Sequence, residues 1–284
     1  MPEYETPGPV SAAIDLAVGD LLISTGEAGA TSVDVEPTDP SEPDDRRAAE
    51  ATRVECAGGH LRVKAPKLRT WASRRGGGSV TVAIRMPAGS ELRGTTQMGD
   101  LRCEGSLGSC HLKTGLGDIR IAGAAAVTAK ASAGDITIEH ATGDVEVATG
   151  SGEVRLRALD RDAVVKNSNG DTWVGTARGG LRIRAANGSI AVESAEGGLE
   201  ARSANGAVRL GELRRGTAAV ETGVGDVEVG IPEGVAAYLD VKAAAGRVRN
   251  ALEAAGTPAE TSEAVEVRAR TSMGDIFIRR PVVS

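Results

Sequence analysis

Asp100, Asp118, Asp135, Glu153, Asp171 and Asp226 each directly follow the glycine of a recurring phrase, the first five at intervals of seventeen or eighteen residues. Brought into one column they would repel one another, so something must neutralise them. A hard cation such as calcium is one answer. Basic side chains of the chain itself are the other, and Lys113, Lys130 and Lys166 stand four residues before the glycines of three of these phrases. The pairs Lys113/Asp118, Lys130/Asp135 and Lys166/Asp171 then flank shared corners, which favours internal ion pairing over a metal, and no cofactor is expected. At two further phrases the acid is replaced by Ser189 and Ala207, which leaves Arg184 and Arg202 without a local partner. Together with Arg182 and Arg209 on nearby outward positions, and Arg214 and Arg215 beyond, they form a candidate anion-binding patch. The alternative is ordinary solvated charge.

A second candidate is the segment KLRTWASRRGGGS, where Lys67, Arg69, Arg74 and Arg75 surround Trp71. Charge beside an aromatic anchor suits contact with a protein partner; the alternative is a solvated loop with one packing Trp. Catalytic groups are not gathered anywhere. His60, His111 and His140 lack a second His or a Cys pair at metal-ligand spacing, and no nucleophile elbow, phosphate loop or H-E-x-x-H occurs. No catalytic residues are expected.

The elements that carry these residues follow from the glycines. One set falls at Gly99, Gly117, Gly134, Gly152, Gly170, Gly188, Gly206 and Gly225, at intervals of eighteen with a single seventeen and a single nineteen. The interleaved set keeps Gly108, Gly143, Gly179, Gly197 and Gly216 but has Ala125 and Arg161 elsewhere, so only one of two corners demands a backbone reserved for glycine. Between corners apolar residues alternate strictly, as in Ile119/Ile121, Ile136/Ile138 and Val227/Val229, which is the period of a strand with one buried face. An eighteen-residue unit of two short strands predicts an all-β, right-handed β-helix in which equivalent corners stack about 4.8 Å apart. Asn169, Asn187 and Asn205 recur at the same interval and predict a ladder of side-chain amides; three ordinary Asn-Gly turns are the alternative.

Composition narrows the function classes. The 284 residues include 38 glycines and only 2% aromatics, so the core is thin and offers few stacking platforms for sugars or bases. A net charge of −6 opposes nucleic-acid binding. The three cysteines, Cys56, Cys103 and Cys110, read as free thiols, with Cys103 and Cys110 on inward positions; a disulfide between neighbouring coils is the alternative. Neither a signal peptide nor a membrane span is read, so the expectation is cytoplasmic, with cell-surface export by a non-classical route as the alternative.

Residues 1–9 are expected to be a loose, disordered tail. Residues 10–98 form an N-terminal β segment with a short helix at Asp44–Arg53 and the basic loop, 99–229 the regular repeats, and 230–284 C-terminal coils and a cap. The GDI and GDV phrases, HLRVKAP, SVTVAIRMPAGSELR, IPEGVAAYLDVKAAAGRVRN and the closing SMGDIFI resemble the bacterial putative-adhesin family of β-strand repeat proteins, a domain family of unknown function. That resemblance spans nearly the whole chain and implies a right-handed β-helix. It also implies surface attachment, with some relatives in envelope-stress systems, and brings no catalytic residues. The expected function is therefore a non-catalytic β-helix scaffold or interaction protein for a protein or envelope partner, without direct membrane insertion, monomeric or a small homo-oligomer. An enzyme acting on a polysaccharide and a cation-stabilised β-roll are the alternatives.

Overall fold

The computed structural model describes residues 3–27, 29–66, 78–252 and 264–281. Its geometry is governed by the glycine corners. Gly99, Gly117 and Gly134 have φ of +142°, +139° and +142°, and Gly170, Gly188, Gly206 and Gly225 have +130°, +139°, +148° and +143°. A Cβ on Gly188 would lie 2.1 Å from the carbonyl oxygen of Gly170, and one on Gly206 would lie 2.0 Å from that of Gly188. Each corner glycine thus rests on the backbone of the corner glycine of the adjoining coil, and no side chain fits between them. At the interleaved corner Gly108, Gly179 and Gly197 do not have such φ values, although Gly216 does at +83°.

The chain divides into two compact units, Met1–Thr142 and Gly143–Ser284. Unit 1 contains β1 (Glu3–Thr6), β2 (Ser11–Asp15), β3 (Gly19–Gly26), β4 (Gly29–Pro37), α1 (Pro43–Ala51), β5 (Arg53–Ala57), β6 (His60–Lys64), β7 (Val80–Pro87), β8 (Glu91–Met98), β9 (Leu101–Leu116), β10 (Ile119–Ala133) and β11 (Ile136–Ala141). Its coils stack by parallel pairing, but not in chain order. β2 lies between β6 and β8, and β3 between β7 and β9. The outer edges of β6 and β7 are covered by antiparallel strands, β5 on the first and β4 on the second, with β1 in turn on β4. Residues 3–6 are therefore a paired strand and not the loose tail expected; Thr6 and Thr31 join by a buried hydroxyl hydrogen bond of 2.8 Å. Helix α1 starts at a proline with Asp44 and Asp45 in its first turn, as its N-terminal dipole favours.

The seventeen-residue interval has a local cause. Ile121 pairs with Cys103 but Gly123 with Ser106, so β9 carries one extra residue against β10. Gly105 takes up the resulting bulge at φ +85°.

Unit 2 contains β12 (Val145–Ser151), β13 (Val154–Leu159), β14 (Ala163–Asn169), β15 (Thr172–Ala177), β16 (Leu181–Asn187), β17 (Ile190–Ala195), β18 (Leu199–Asn205), β19 (Val208–Leu213), β20 (Thr217–Val224), β21 (Val227–Gly230), β22 (Ala236–Ala245), β23 (Val248–Asn250), β24 (Ala264–Met273) and β25 (Ile276–Arg279). Two parallel faces result, β12-β14-β16-β18-β20-β24-β22 and β13-β15-β17-β19-β21-β25-β23. The alternation places Val165, Ile183, Ala201, Val220 and Ala269 in one buried inner row. The chain forms a β-helix, and its last coil in sequence is not its last in space. β24 and β25 insert between the coil of β20 and β21 and the coil of β22 and β23. Residues 236–250, within the expected C-terminal coils and cap, are thus left at the edge, and the last strands of the chain lie one coil in.

Candidate interaction surfaces

The acidic column is held by backbone. Asp118 donates its N–H to Asp100 Oδ1 at 2.9 Å and Asp135 to Asp118 Oδ1 at 3.0 Å; in unit 2, Ser189 donates to Asp171 Oδ1 and Asp275 to Asp226 Oδ1, both at 2.8 Å. Each carboxylate therefore accepts from the next coil. At three of these corners the acid pairs with the arginine two residues on: Arg102 with Asp100 and Arg120 with Asp118, both at 3.2 Å, and Arg155 with Glu153 at 2.8 Å. Alternation explains the pairing, since residues i and i+2 share a face of the strand. Among the described residues no three His, Cys, Asp or Glu side chains converge as metal ligands would.

Two further ladders flank this corner. Asn187 Nδ2 donates to Asn169 Oδ1 at 2.9 Å and Asn205 Nδ2 to Asn187 Oδ1 at 3.0 Å, the amide ladder expected from their spacing. The second was not anticipated. Three residues before the corner glycine, a buried Thr, Ser or Asn donates to the corner carbonyl one coil back: Thr114 to Gly99, Asn167 to Gly152, Ser203 to Gly188, Thr222 to Gly206 and Thr271 to Gly225, at 2.8–3.2 Å. A polar residue recurring at an inward strand position was the legible signal for it.

Three of the four arginines of the expected patch come together, with Arg184 opposite Arg202 in the register. Arg182 and Arg184 are on β16 and Arg202 on β18, but Arg209 is on β19, in the other face. Arg182 pairs with Glu200 at 2.8 Å, Arg202 with Glu200 and Glu221 at 3.5 Å each, and Arg209 with Glu228 at 2.7 Å. Nearby, Arg214 pairs with Glu212 and Arg215 with Glu196. Pairing across the stack joins acids to bases nineteen or fewer residues apart, which the sequence read along one strand could not reveal. Burial works to raise the Glu228 carboxyl, but hydrogen bonds and charge from Arg279 and Arg209 outweigh it and hold it below the usual carboxylate range. Arg182 and Arg202 do line a shallow groove of about 570 Å³ floored by Val164 and Ala219. Lys67, Arg69, Trp71, Arg74 and Arg75 lie outside the described residues.

A further group of cations lies on unit 1. Register places Arg62, Ala13, Arg93, His111 and Thr128 in one outward row, and Lys64, Asp15, Thr95, Lys113 and Lys130 in the next. Across the edge Arg53 stands opposite Lys64 and Glu55 opposite Arg62. Arg62, Lys64, Arg93 and Lys113 are exposed, and none forms an ion pair among the described residues. Rows of one sheet face lie about 7 Å apart and neighbouring strands about 4.8 Å, so these charges make one continuous field. Residues 62 and 93 became neighbours but one because β2 inserts between their strands, which no local signal announced.

The matching family model, Toastrack DUF4097, covers residues 12–279. The chain belongs to the Toastrack DUF4097 family. Among solved structures, this Toastrack chain is similar to a putative adhesin from Bacteroides fragilis (16% identity, 98% of this chain and 95% of that one, TM-score 0.37). It is similar also to a putative cell adhesion protein from Clostridium sporogenes (13%, 98% and 99%, TM-score 0.19). A third is a putative lipid binding protein from Parabacteroides distasonis (10%, 98% and 95%, TM-score 0.41). No curated protein matches the chain.

Within this Toastrack member all three thiols are free. Cys103 and Cys110 are buried, whereas Cys56 is half-buried. A hydrogen bond with Cys110, reinforced by burial, pushes the Cys103 thiol well above its ordinary value, and burial raises Cys56 as well. A thiol-specific reagent at neutral pH is expected to add one label, on Cys56, with Cys103 and Cys110 labelled only after denaturation. Intact-mass measurement before and after denaturant checks it; three labels on the native chain would contradict the packing.

Proposed function

We propose that the chain is a non-catalytic β-helix scaffold that presents a rigid cationic face to an anionic component of the cell envelope. The observation that carries this reading is the set Arg62, Lys64, Arg93 and Lys113, exposed on one sheet face without ion-pair partners among the described residues, in a chain of net charge −6. Charges left unpaired while so many others are paired stand ready for an external partner. The corner carboxylates that an enzyme would need are engaged with backbone N–H groups, which supports a structural role for them. A flat face fits a polymer or headgroup layer better than a small substrate.

The test uses vesicles of a zwitterionic lipid doped with an anionic one, and in parallel immobilised heparin as a soluble polyanion. The wild-type chain is expected to bind at low ionic strength and to be released as salt rises, because exposed charges separated by more than about 8–10 Å are screened at physiological salt. The triple variant Arg62→Ser, Arg93→Ser, Lys113→Ser should lose about tenfold or more in affinity. Binding to heparin alone points to a polyanionic polymer, and binding to vesicles alone to a headgroup layer. Equal retention of wild type and triple variant would overturn the assignment.

A further inference from the structure

Among the described residues the coil of β22 and β23 is the outermost in unit 2, and β22 is paired on one side only, with β24. Its inward residues Leu239, Val241 and Ala243 are half-exposed, whereas Val267 and Ala269, one coil in, are fully buried. Tyr238 is 68% and Val248 42% exposed beside them. The outermost coil of unit 1 differs, because β4 and β5 cover its edges in antiparallel pairing. A long strand edge with open backbone groups and half-exposed apolar residues is a template for another strand.

We propose that this edge pairs with the same edge of a second copy of the chain, giving a two-fold symmetric dimer in which β22 runs antiparallel to β22 of the partner. Three features select this occupant. Continued parallel stacking is disfavoured at the corner: Arg247 donates its N–H to Asp275 Oδ1 at 2.8 Å but, unlike Asp275, has no carboxylate for a further coil. Head-to-tail growth onto unit 1 is blocked by its antiparallel cover. The third feature is register.

Along each face the inward residue directs its N–H towards the next coil, as Leu181 does to Gly198 and Ala163 to Gly180. Leu239 is in register with Val267, Ala218, Leu199 and Leu181. The free N–H and C=O groups of β22 therefore belong to Leu239, Val241 and Ala243. An antiparallel partner must bring these odd-numbered residues opposite one another. Centring on Val241 sets Val241 against its own copy, Leu239 against Ala243, and Asp240 against Lys242, with a small residue facing the larger one in the inner row. Shifting the centre to residue 240 opposes two aspartates, and shifting it to 242 opposes two lysines. Like charges directly opposite destabilise a pair, and Asp240 and Lys242 occupy the closer, non-hydrogen-bonded sites. Only the Val241-centred register among these three unites opposite charges. Lys242, set beside Arg270 in its own chain, has no ion-pair partner among the described residues, while Asp240 pairs with Arg270 at 2.6 Å and Arg268 at 3.5 Å.

The experiment is a charge-swap measured by sedimentation equilibrium on the full chain. Wild type is expected to dimerise at high micromolar concentration. Asp240→Lys places lysine opposite Lys242, and Lys242→Asp places aspartate opposite Asp240, so each variant alone should weaken association by about tenfold or more. Mixed in equal amounts, the two variants become complementary across the two-fold, and the dimer mass should return as a heterodimer. Val241→Pro provides a separate arm: its N–H faces the open edge and not β24, so the ladder within the chain is kept while the dimer loses its central hydrogen-bonded pair. Circular dichroism confirms that each variant is folded. A wild type that stays monomeric, or folded single variants that associate as wild type does, would overturn the proposal.

Discussion

Replacing Gly188 with alanine is expected to destabilise unit 2 by about 3–5 kcal/mol, while the same replacement at Gly198 costs no more than about 0.5 kcal/mol. Both glycines lie in neighbouring coils, and the difference is geometric. Gly188 has φ +139°, and its added Cβ would meet the Gly170 carbonyl oxygen at 2.1 Å. That oxygen belongs to a corner fixed on both sides: Gly170 N–H donates to Asn187 O, and Gly188 N–H to Asn205 O. It cannot withdraw without breaking the stack. Around Gly198 the nearest atoms are those of Thr217 at 3.9 Å, and φ is not in the left-handed region. Chemical denaturation of the two variants decides the matter; equal midpoints would refute the corner-stacking account.

The second large effect is expected at Asp100. Its Oδ1 accepts the N–H of Asp118, in a partly buried setting, and its Oδ2 pairs with Arg102. Asp100→Ala leaves that N–H without an acceptor and should cost about 1.5–3 kcal/mol, the range for a hydrogen bond to a charged group. Asp100→Asn keeps an oxygen in place and should recover about half of the loss. A cation-holding column behaves differently, because there the amide would fail as alanine does and added calcium would raise the wild-type melting temperature. Thermal unfolding of the three proteins with and without calcium separates the two.

These two sites also show how far residues can be read without coordinates. Gly188 is marked by the eighteen-residue interval on either side of it and by glycine at every equivalent corner from Gly99 to Gly225, and Asp100 by its place directly after such a glycine. Their roles differed in legibility. A glycine has few reasons to recur, so interval alone identified the constrained corner. A carboxylate has many partners available, and the sequence offered a lysine before it and a cation as rivals to the backbone N–H that it binds.

The buried Thr114, Asn167, Ser203, Thr222 and Thr271 column passed unnoticed for a related reason. Their inward position looked like a tolerated small residue until the corner carbonyl one coil back was seen within 2.8–3.2 Å. The acidic partners of Arg182 and Arg202 are not legible along one strand because ion pairs such as Arg182 with Glu200 run between coils, where one chain position faces a residue eighteen away.

What the sequence determined by itself is the coil. Strand period, corner glycines and amide ladder are each written at the interval of one turn, and in a stacked fold a residue meets its equivalents one turn before and after. Periodicity along the chain is then contact in space. Only the tertiary structure decided the order of the coils at the edges and the sign of the exposed faces. Strands β2, β3, β24 and β25 carry the same alternation as any other strand, so pattern alone does not say which neighbours they choose. That choice rests on non-local packing and hydrogen bonding: Asp275 and Thr271 reach Asp226 and Gly225, forty-nine and forty-six residues back, and β22 is displaced to the edge. The same insertion at β2 sets Arg62 and Arg93 in one row. The surfaces available to partners are consequences of stacking order, which local propensity does not encode.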